Sequence, residues 1–155
     1  MKPGSGEGRS ELDELYQSVI LDHNRTPRNF RPLENANRHA EGRNPLCGDV
    51  YEVWLRLEGN VIAEATFHGQ GCAISKASAS MMTQAVKGKT VGEARALFDR
   101  FHEVVTGAKD GEAGGGLPAK LEVFRGVSAF PIRVKCATLS WHAMKAALEG
   151  DARTQ

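Results

Sequence analysis

Residues 49 to 68 alternate with a period of two on both sides of a two-residue turn. In "DVYEVWLRLE", Tyr51, Val53, Leu55 and Leu57 alternate with Glu52, Trp54, Arg56 and Glu58. After Gly59 and Asn60, Val61, Ala63, Ala65 and Phe67 alternate with Ile62, Glu64, Thr66 and His68. Successive side chains of a strand point to opposite faces, and a Gly-Asn step suits a tight reversal. The stretch therefore predicts a β-hairpin whose first-named residues face a core. A hairpin is not stable alone in water, so the rest of the chain has to cover that face.

The flanking segments supply helices. Ser10 reads as the N-cap of a helix in which Leu12, Leu15, Tyr16 and Val19 recur at helical spacing. Pro27 and Pro32 break the helical pattern, and 23–48 reads as a long irregular loop, of the kind that is often functional. The stretch "CAISKASASMMTQAVKG", 72–88, predicts a helix with Ile74, Ala77, Met81 and Ala85 on one stripe and Gly88 as a stop. Thr90 and Glu93 have capping-box spacing at the head of a helix over "VGEARALFDRFHEVVTG". The Gly-rich stretch 107–116 reads as a flexible loop without the ending of a phosphate-binding loop, and 117–127 as one short helix. Pro131 suits the first turn of a last helix reaching Leu148, with Ile132, Cys136, Leu139, Ala143 and Ala146 on one face. Helix, loop, antiparallel strands and then helices is an α+β order: a small antiparallel sheet with helices packed on one face.

Charge and hydropathy exclude several classes. Twenty Lys and Arg against 19 Asp and Glu leave a net charge of +1, so no basic field marks a nucleic-acid binder. The densest basic cluster, "RTPRNFR" at 25–31, reads as a solvated loop. No run of about 18 apolar residues marks a membrane span. "MKPGSGEGRS" lacks the apolar core of a secretory signal, so a cytoplasmic location is expected.

Three cysteines are an odd number and fit a disulfide framework poorly. Cys47 precedes the hairpin, Cys72 sits where the sheet meets a helix, and Cys136 lies near the start of the last helix. Three thiols and the carboxylate of Asp49 could close a tetrahedral zinc site. There is no CxxC pair, and the spacing suits equally a chain in which Cys72 and Cys136 are small buried residues and Asp49 caps a turn. The five histidines show no metal-binding spacing, His68 reads as a strand residue, and Ser78 and Ser80 have no evident base partner.

"NPLCGD", "GQGCAISKASASMMTQAVKGK" and "GVSAFPIRVKCATLSWHAMKAAL" together resemble the U-type iron–sulfur assembly proteins, over about 11–149 and in the same order. Within that family the chain looks more like the zinc-containing SufU branch than the IscU cluster scaffolds. The scaffolds carry a histidine directly before the last cysteine, where this chain has Lys135, and the 73–135 segment is longer than theirs. The resemblance implies an IscU/NifU-like fold with a three-stranded antiparallel sheet and a single domain over 11–149, followed by a C-terminal tail over 150–155; the Gly, Ser and charged composition of 1–10 reads as a disordered tail. The resemblance implies Zn2+ held by Cys47, Asp49, Cys72 and Cys136. It also implies a partner, a SufS-type cysteine desulfurase that uses pyridoxal phosphate and carries sulfur as a persulfide, and downstream scaffold or acceptor proteins. Cys47 is the expected sulfur acceptor, because its loop reads as mobile and exposed while Cys72 and Cys136 are anchored by helices. Arg133 matches a basic position near the site in SufU-like proteins, where it would support the acceptor thiolate; it equally suits a solvated helix residue. The alternative role is a scaffold that assembles and passes on a [2Fe-2S] cluster, or holds iron, on the same ligands.

Overall fold

The alternation that predicts a hairpin becomes the two long strands of the sheet. The computed structural model describes residues 17–107, 117–150 and 153–154. In chain order these form α1 (17–25), β1 (Arg38–Asn44), β2 (Asp49–Glu58), β3 (Val61–Gln70), α2 (Ala73–Val86), α3 (Val91–Val105), a 3-10 segment (Ala119–Ala129), α4 (Pro131–Leu148) and a two-residue β4 (Arg153–Thr154). The sheet order is β3-β2-β1-β4, antiparallel except that β4 runs parallel to β1. Helix α4 lies across β1 and β2, with α2 packed beside it and against β3, which gives the α+β arrangement of a three-stranded antiparallel sheet under helices. Ser10, Leu12, Leu15 and Tyr16 of the first expected helix, the 1–10 tail and residues 108–116 of the Gly-rich loop lie outside the described residues.

Tyr51, Val53 and Leu55 are fully buried, as their alternation requires. The second strand departs from expectation. Ile62 lies opposite Leu57 while Glu64 lies opposite Arg56, so Ala63 is an extra residue in a bulge. The bulge shifts the alternation by one, which buries Ile62 and exposes Val61.

The expected loop over 23–48 contains β1. Its core-facing residues are Ala40, Gly42 and Asn44, so there is little apolar signal to read. The reason is the helix above it: a Cβ on Gly42 would stand 3.1 Å from the Leu139 carbonyl oxygen and 3.2 Å from Leu139 Cδ1. Ahead of β1, the chain lies along the outer edge of β3, where Asn29 O accepts from Phe67 N–H at 3.0 Å.

Helix α2 is buried more widely than a single stripe, because Ser75, Ser78, Ser80 and Thr83 are buried together with Ala77, Met81 and Met82. Each hydroxyl is satisfied. Ser78 Oγ donates to Ala137 O at 2.5 Å and accepts from Trp141 Nε1 at 3.1 Å. Ser80 Oγ accepts from Arg28 N–H at 2.8 Å and bonds His23 Nδ1 at 2.7 Å. His23 is thus a base partner for Ser80 that spacing did not reveal. Both residues are buried, and burial holds the imidazole below its ordinary pKa, so the pair ties α1 to α2.

Of residues 117–127, expected as a short helix, 119–127 wind instead as part of the 3-10 segment, with Leu121, Phe124 and Val127 buried. The capping box forms as expected: Thr90 Oγ1 accepts from Glu93 N–H at 3.1 Å, and Glu93 Oε1 accepts from Thr90 N–H at 2.9 Å. Thr90→Ala should cost about 1 kcal/mol, the usual value for a lost cap. Urea unfolding should show a lower midpoint with unchanged metal content, since α3 carries none of the cysteines and not Asp49. No described helix is long and apolar enough to cross a membrane.

Candidate metal centre

The fold brings one end of the sheet against two helix starts. Strand β2 begins at Asp49, paired with Asn44 across the β1–β2 turn, and Val50 pairs with Gln70 at the end of β3. Gly71 and Cys72 come next and open α2, while Pro131 opens α4 beside them. Cys47, Asp49, Cys72, Arg133 and Cys136 all line one open cleft there.

Asp49, Cys72 and Cys136 converge, with one ligand atom from each within 4.8 Å of the others. Cys72 is the N-cap of α2: its Sγ accepts from Ser75 N–H at 3.4 Å, at the positive end of the helix dipole. Its own N–H donates to Asp49 Oδ1 at 3.2 Å. Asp49 is only 2% exposed, and its Oδ2 is buried with no hydrogen-bond partner. A buried acceptor without a partner is costly, and a cation held with the two thiols would satisfy it. The donor set therefore fits a zinc ion. Burial, and then the neighbouring Cys72 and Asp49, push the Cys136 thiol well up. A metal has to displace that proton, so zinc affinity should weaken as pH falls.

Cys72 is exposed, which removes the reading of it as a buried small residue, whereas Cys136 is 4% exposed. Cys47 lines the same cleft and is exposed, but its sulfur lies outside the convergent trio. Its loop is shorter and better tied than expected. Asn44 O accepts from Cys47 N–H at 3.1 Å and from Gly48 N–H at 2.8 Å, and Asn44 Oδ1 accepts from Leu46 N–H at 3.2 Å. Gly48 has φ +76°, a conformation that favours glycine, and it aims the chain from Cys47 into buried Asp49. Arg133 is exposed on the first turn of α4, with its guanidinium 5.0 Å over the Phe130 ring.

Three supporting residues were not recognised as such in the sequence. Tyr51 OH bonds Ser75 Oγ at 3.1 Å, and Ser75 Oγ donates to Cys72 O at 3.0 Å, which fixes the N-cap from below. Burial pushes the Tyr51 phenol up to about 12, so it stays protonated. Gly71 is the third: a Cβ there would stand 2.5 Å from Ser75 Oγ and 2.8 Å from both Asp49 Oδ1 and Tyr51 OH. The "GQGC" glycines are the one sequence signal that could have pointed to such close packing. Gly71→Ala should leave the fold intact and displace Asp49 and the α2 cap. Metal analysis should then find substoichiometric zinc; full occupancy with unchanged affinity would contradict this packing argument.

Residues 15–150 match the model of the NifU-like N terminal domain. The chain is 43% identical over 137 residues to the zinc-dependent sulfurtransferase SufU of Bacillus subtilis, covering 88% of this chain and 90% of that protein. It is 40% identical over 152 residues to the iron-sulfur cluster assembly scaffold protein IscU of Streptococcus pyogenes, covering 94% and 90%. A crystal structure of a SufU protein from Fervidobacterium islandicum, described as an iron-sulfur cluster assembly scaffold protein for the SUF system, superposes with a TM-score of 0.78 at 31% identity, covering 87% and 97%.

Proposed function

The chain belongs to the family of NifU-like N-terminal domains, and on that premise we propose that it is an iron–sulfur cluster assembly protein working as a zinc-dependent sulfurtransferase. It accepts sulfur from a SufS-type cysteine desulfurase on Cys47 and passes it to a scaffold or acceptor protein in the cytoplasm. The observation that carries this reading is the division of labour in the cleft: a buried carboxylate and two thiols converge, while a third thiol stands exposed beside them. Asp49, Cys72 and Cys136 would hold the zinc, with Cys47 as the fourth and exchangeable donor. When bound, zinc supplies the Lewis acidity that keeps ligand thiols deprotonated at neutral pH.

The Cys47 thiolate attacks the outer sulfur of the desulfurase persulfide. A bond forms between that sulfur and Cys47 Sγ as the donor's S–S bond breaks, and the electron pair leaves on the desulfurase cysteine. One persulfide replaces another, so no oxidant or reductant is consumed. Arg133, in the cleft wall, supplies a fixed positive charge beside the anionic sulfur. The open cleft admits a protein partner to the exposed thiol.

Titrating zinc-loaded protein into a SufS-type desulfurase should raise alanine release from cysteine in a saturable way. A flat titration with both proteins folded would sink the reading. The scaffold reading is favoured by the Streptococcus relative, whose name describes that role. On that reading the same donors hold a [2Fe-2S] cluster as cargo. Stable anaerobic reconstitution and cluster transfer, without any stimulation of alanine release, would select it.

A further inference from the structure

Beside the Cys47 turn, β1 and α4 line a second cavity of about 330 Å³ that shares no lining residue with the zinc cleft. Pro45, Leu46 and Leu139 give it apolar walls, and Arg43 and Lys135 stand among its lining residues. None of the lining residues is a carboxylate. Lys135 makes no ion pair among the described residues. Arg43 bonds Glu41 at 2.8 Å, but both side chains are partly exposed, and such a pair is easily shared with an incoming carboxylate. The Thr138 hydroxyl is already used, donating to Val134 O at 2.9 Å. His142 adds no charge at neutral pH, because burial and then the nearby His102 and Lys145 hold its imidazole below the ordinary value.

One buried group lacks a partner. Asn44 is 7% exposed and its Oδ1 accepts from Leu46 N–H, but its Nδ2 is buried with no acceptor. That amide nitrogen is closed to solvent, so the contacts open to an incoming carboxylate are the Arg43 and Lys135 cations.

We propose that this cavity is a docking pocket for an apolar side chain flanked by carboxylates on the surface of the cysteine desulfurase. The proposal rests on the sulfur-acceptor reading and specifies where its partner binds. Charge supports it: the chain as a whole is nearly neutral, yet two cations and no carboxylate line this pocket, the Glu41 that pairs with Arg43 lying outside it. Position supports it too. Leu46 is 80% exposed and directly precedes Cys47, and Asn44, whose carbonyl holds the Cys47 and Gly48 N–H groups, also lines the pocket. A partner that brings sulfur to Cys47 has to lie over this turn. Filling the pocket would hold the turn in place while the persulfide approaches from the cleft side. Ile132, 63% exposed on the cleft wall, offers that same partner a second apolar contact.

The test measures direct binding of the zinc-loaded protein to the desulfurase, together with the concentration giving half-maximal alanine release. The pocket variant is Arg43→Glu with Lys135→Glu. The control, Lys87→Glu with Lys89→Glu, changes net charge equally at the far end of α2. The pocket variant should raise both the Kd and the half-maximal concentration at least tenfold, and the control less than twofold, with zinc content unchanged in each. Equal shifts in both variants would show bulk charge at work and overturn the pocket, as would no shift in either. A change in self-association without a change in desulfurase affinity would make a second copy the occupant and also overturn it. If the parent binds the desulfurase but does not stimulate it, the sulfurtransferase reading fails while the Kd comparison still decides the pocket. If the parent does not bind at all, both fall.

Discussion

Cys47→Ala is expected to return alanine release to the rate of the desulfurase alone, while the variant stays folded and keeps zinc. The turn that carries Cys47 is held by the Asn44 carbonyl and carboxamide through backbone N–H groups, and none of those bonds involves the Cys47 sulfur. Removing the thiol should therefore leave the turn, the buried Asp49 and the convergent thiols where they are. What is lost is the exposed thiol proposed as the sulfur acceptor. Cys136→Ala should behave differently. That side chain is buried among the donors, so its loss should empty the site and abolish stimulation together. The comparison needs zinc content by elemental analysis and alanine release on the same preparations. Stimulation that survives in Cys47→Ala would assign the acceptor role elsewhere. Complete loss of zinc from Cys47→Ala would mean that Cys47 is an obligatory ligand rather than an exchangeable one.

Asp49→Ala should separate the metal-free and zinc-loaded proteins by opposite responses. In the metal-free protein Asp49 Oδ1 accepts one hydrogen bond, from Cys72 N–H, while Oδ2 is buried and unpaired. Losing a bond to a carboxylate costs about 1.5–3 kcal/mol, and removing an unsatisfied buried carboxylate oxygen returns more than the roughly 1–3 kcal/mol of a neutral group. The metal-free variant should therefore melt at or slightly above the parent. With zinc the order reverses. Zinc at one hundred times its Kd stabilises the parent by about 2.7 kcal/mol. Loss of a direct ligand should weaken affinity beyond the roughly 10–100-fold typical of losing only an outer partner. The zinc-induced rise in Tm should thus disappear at concentrations that saturate the parent. A variant that retains the full rise would reduce Asp49 to a turn residue. Under anaerobic reconstitution the scaffold reading makes its own prediction, that Asp49→Ala holds a [2Fe-2S] cluster more firmly than the parent.

Elements with a strong local signal were legible. The hairpin register from Tyr51 to Leu55, the Thr90–Glu93 box and the Pro131 start of α4 depend on periodicity and caps within a few residues, and all appear in the fold. Elements shaped by distant neighbours were not. Strand β1 was hidden because α4 lies so close that its inner face holds Ala40 and Gly42 instead of branched residues. The bulge that buries Ile62 is a property of the pairing between two strands and leaves no mark in the alternation of one. The Ser80–His23 bond joins residues 57 positions apart.

The candidate site divides in the same way. The cysteine motifs name which residues are available, because the donor types and their flanking glycines are local. Convergence is a distance between segments that meet only when the sheet end, α2 and α4 are packed. Only tertiary structure could show that Asp49, Cys72 and Cys136 come within 4.8 Å of one another while Cys47 stays outside. Only tertiary structure could show that Gly71 leaves room for the Asp49 carboxylate, since the atoms that would collide with a Cβ there come from Asp49, Tyr51 and Ser75. Residue chemistry is written along the chain, but desolvation and the pairing of buried polar groups depend on what surrounds each atom, and packing decides that.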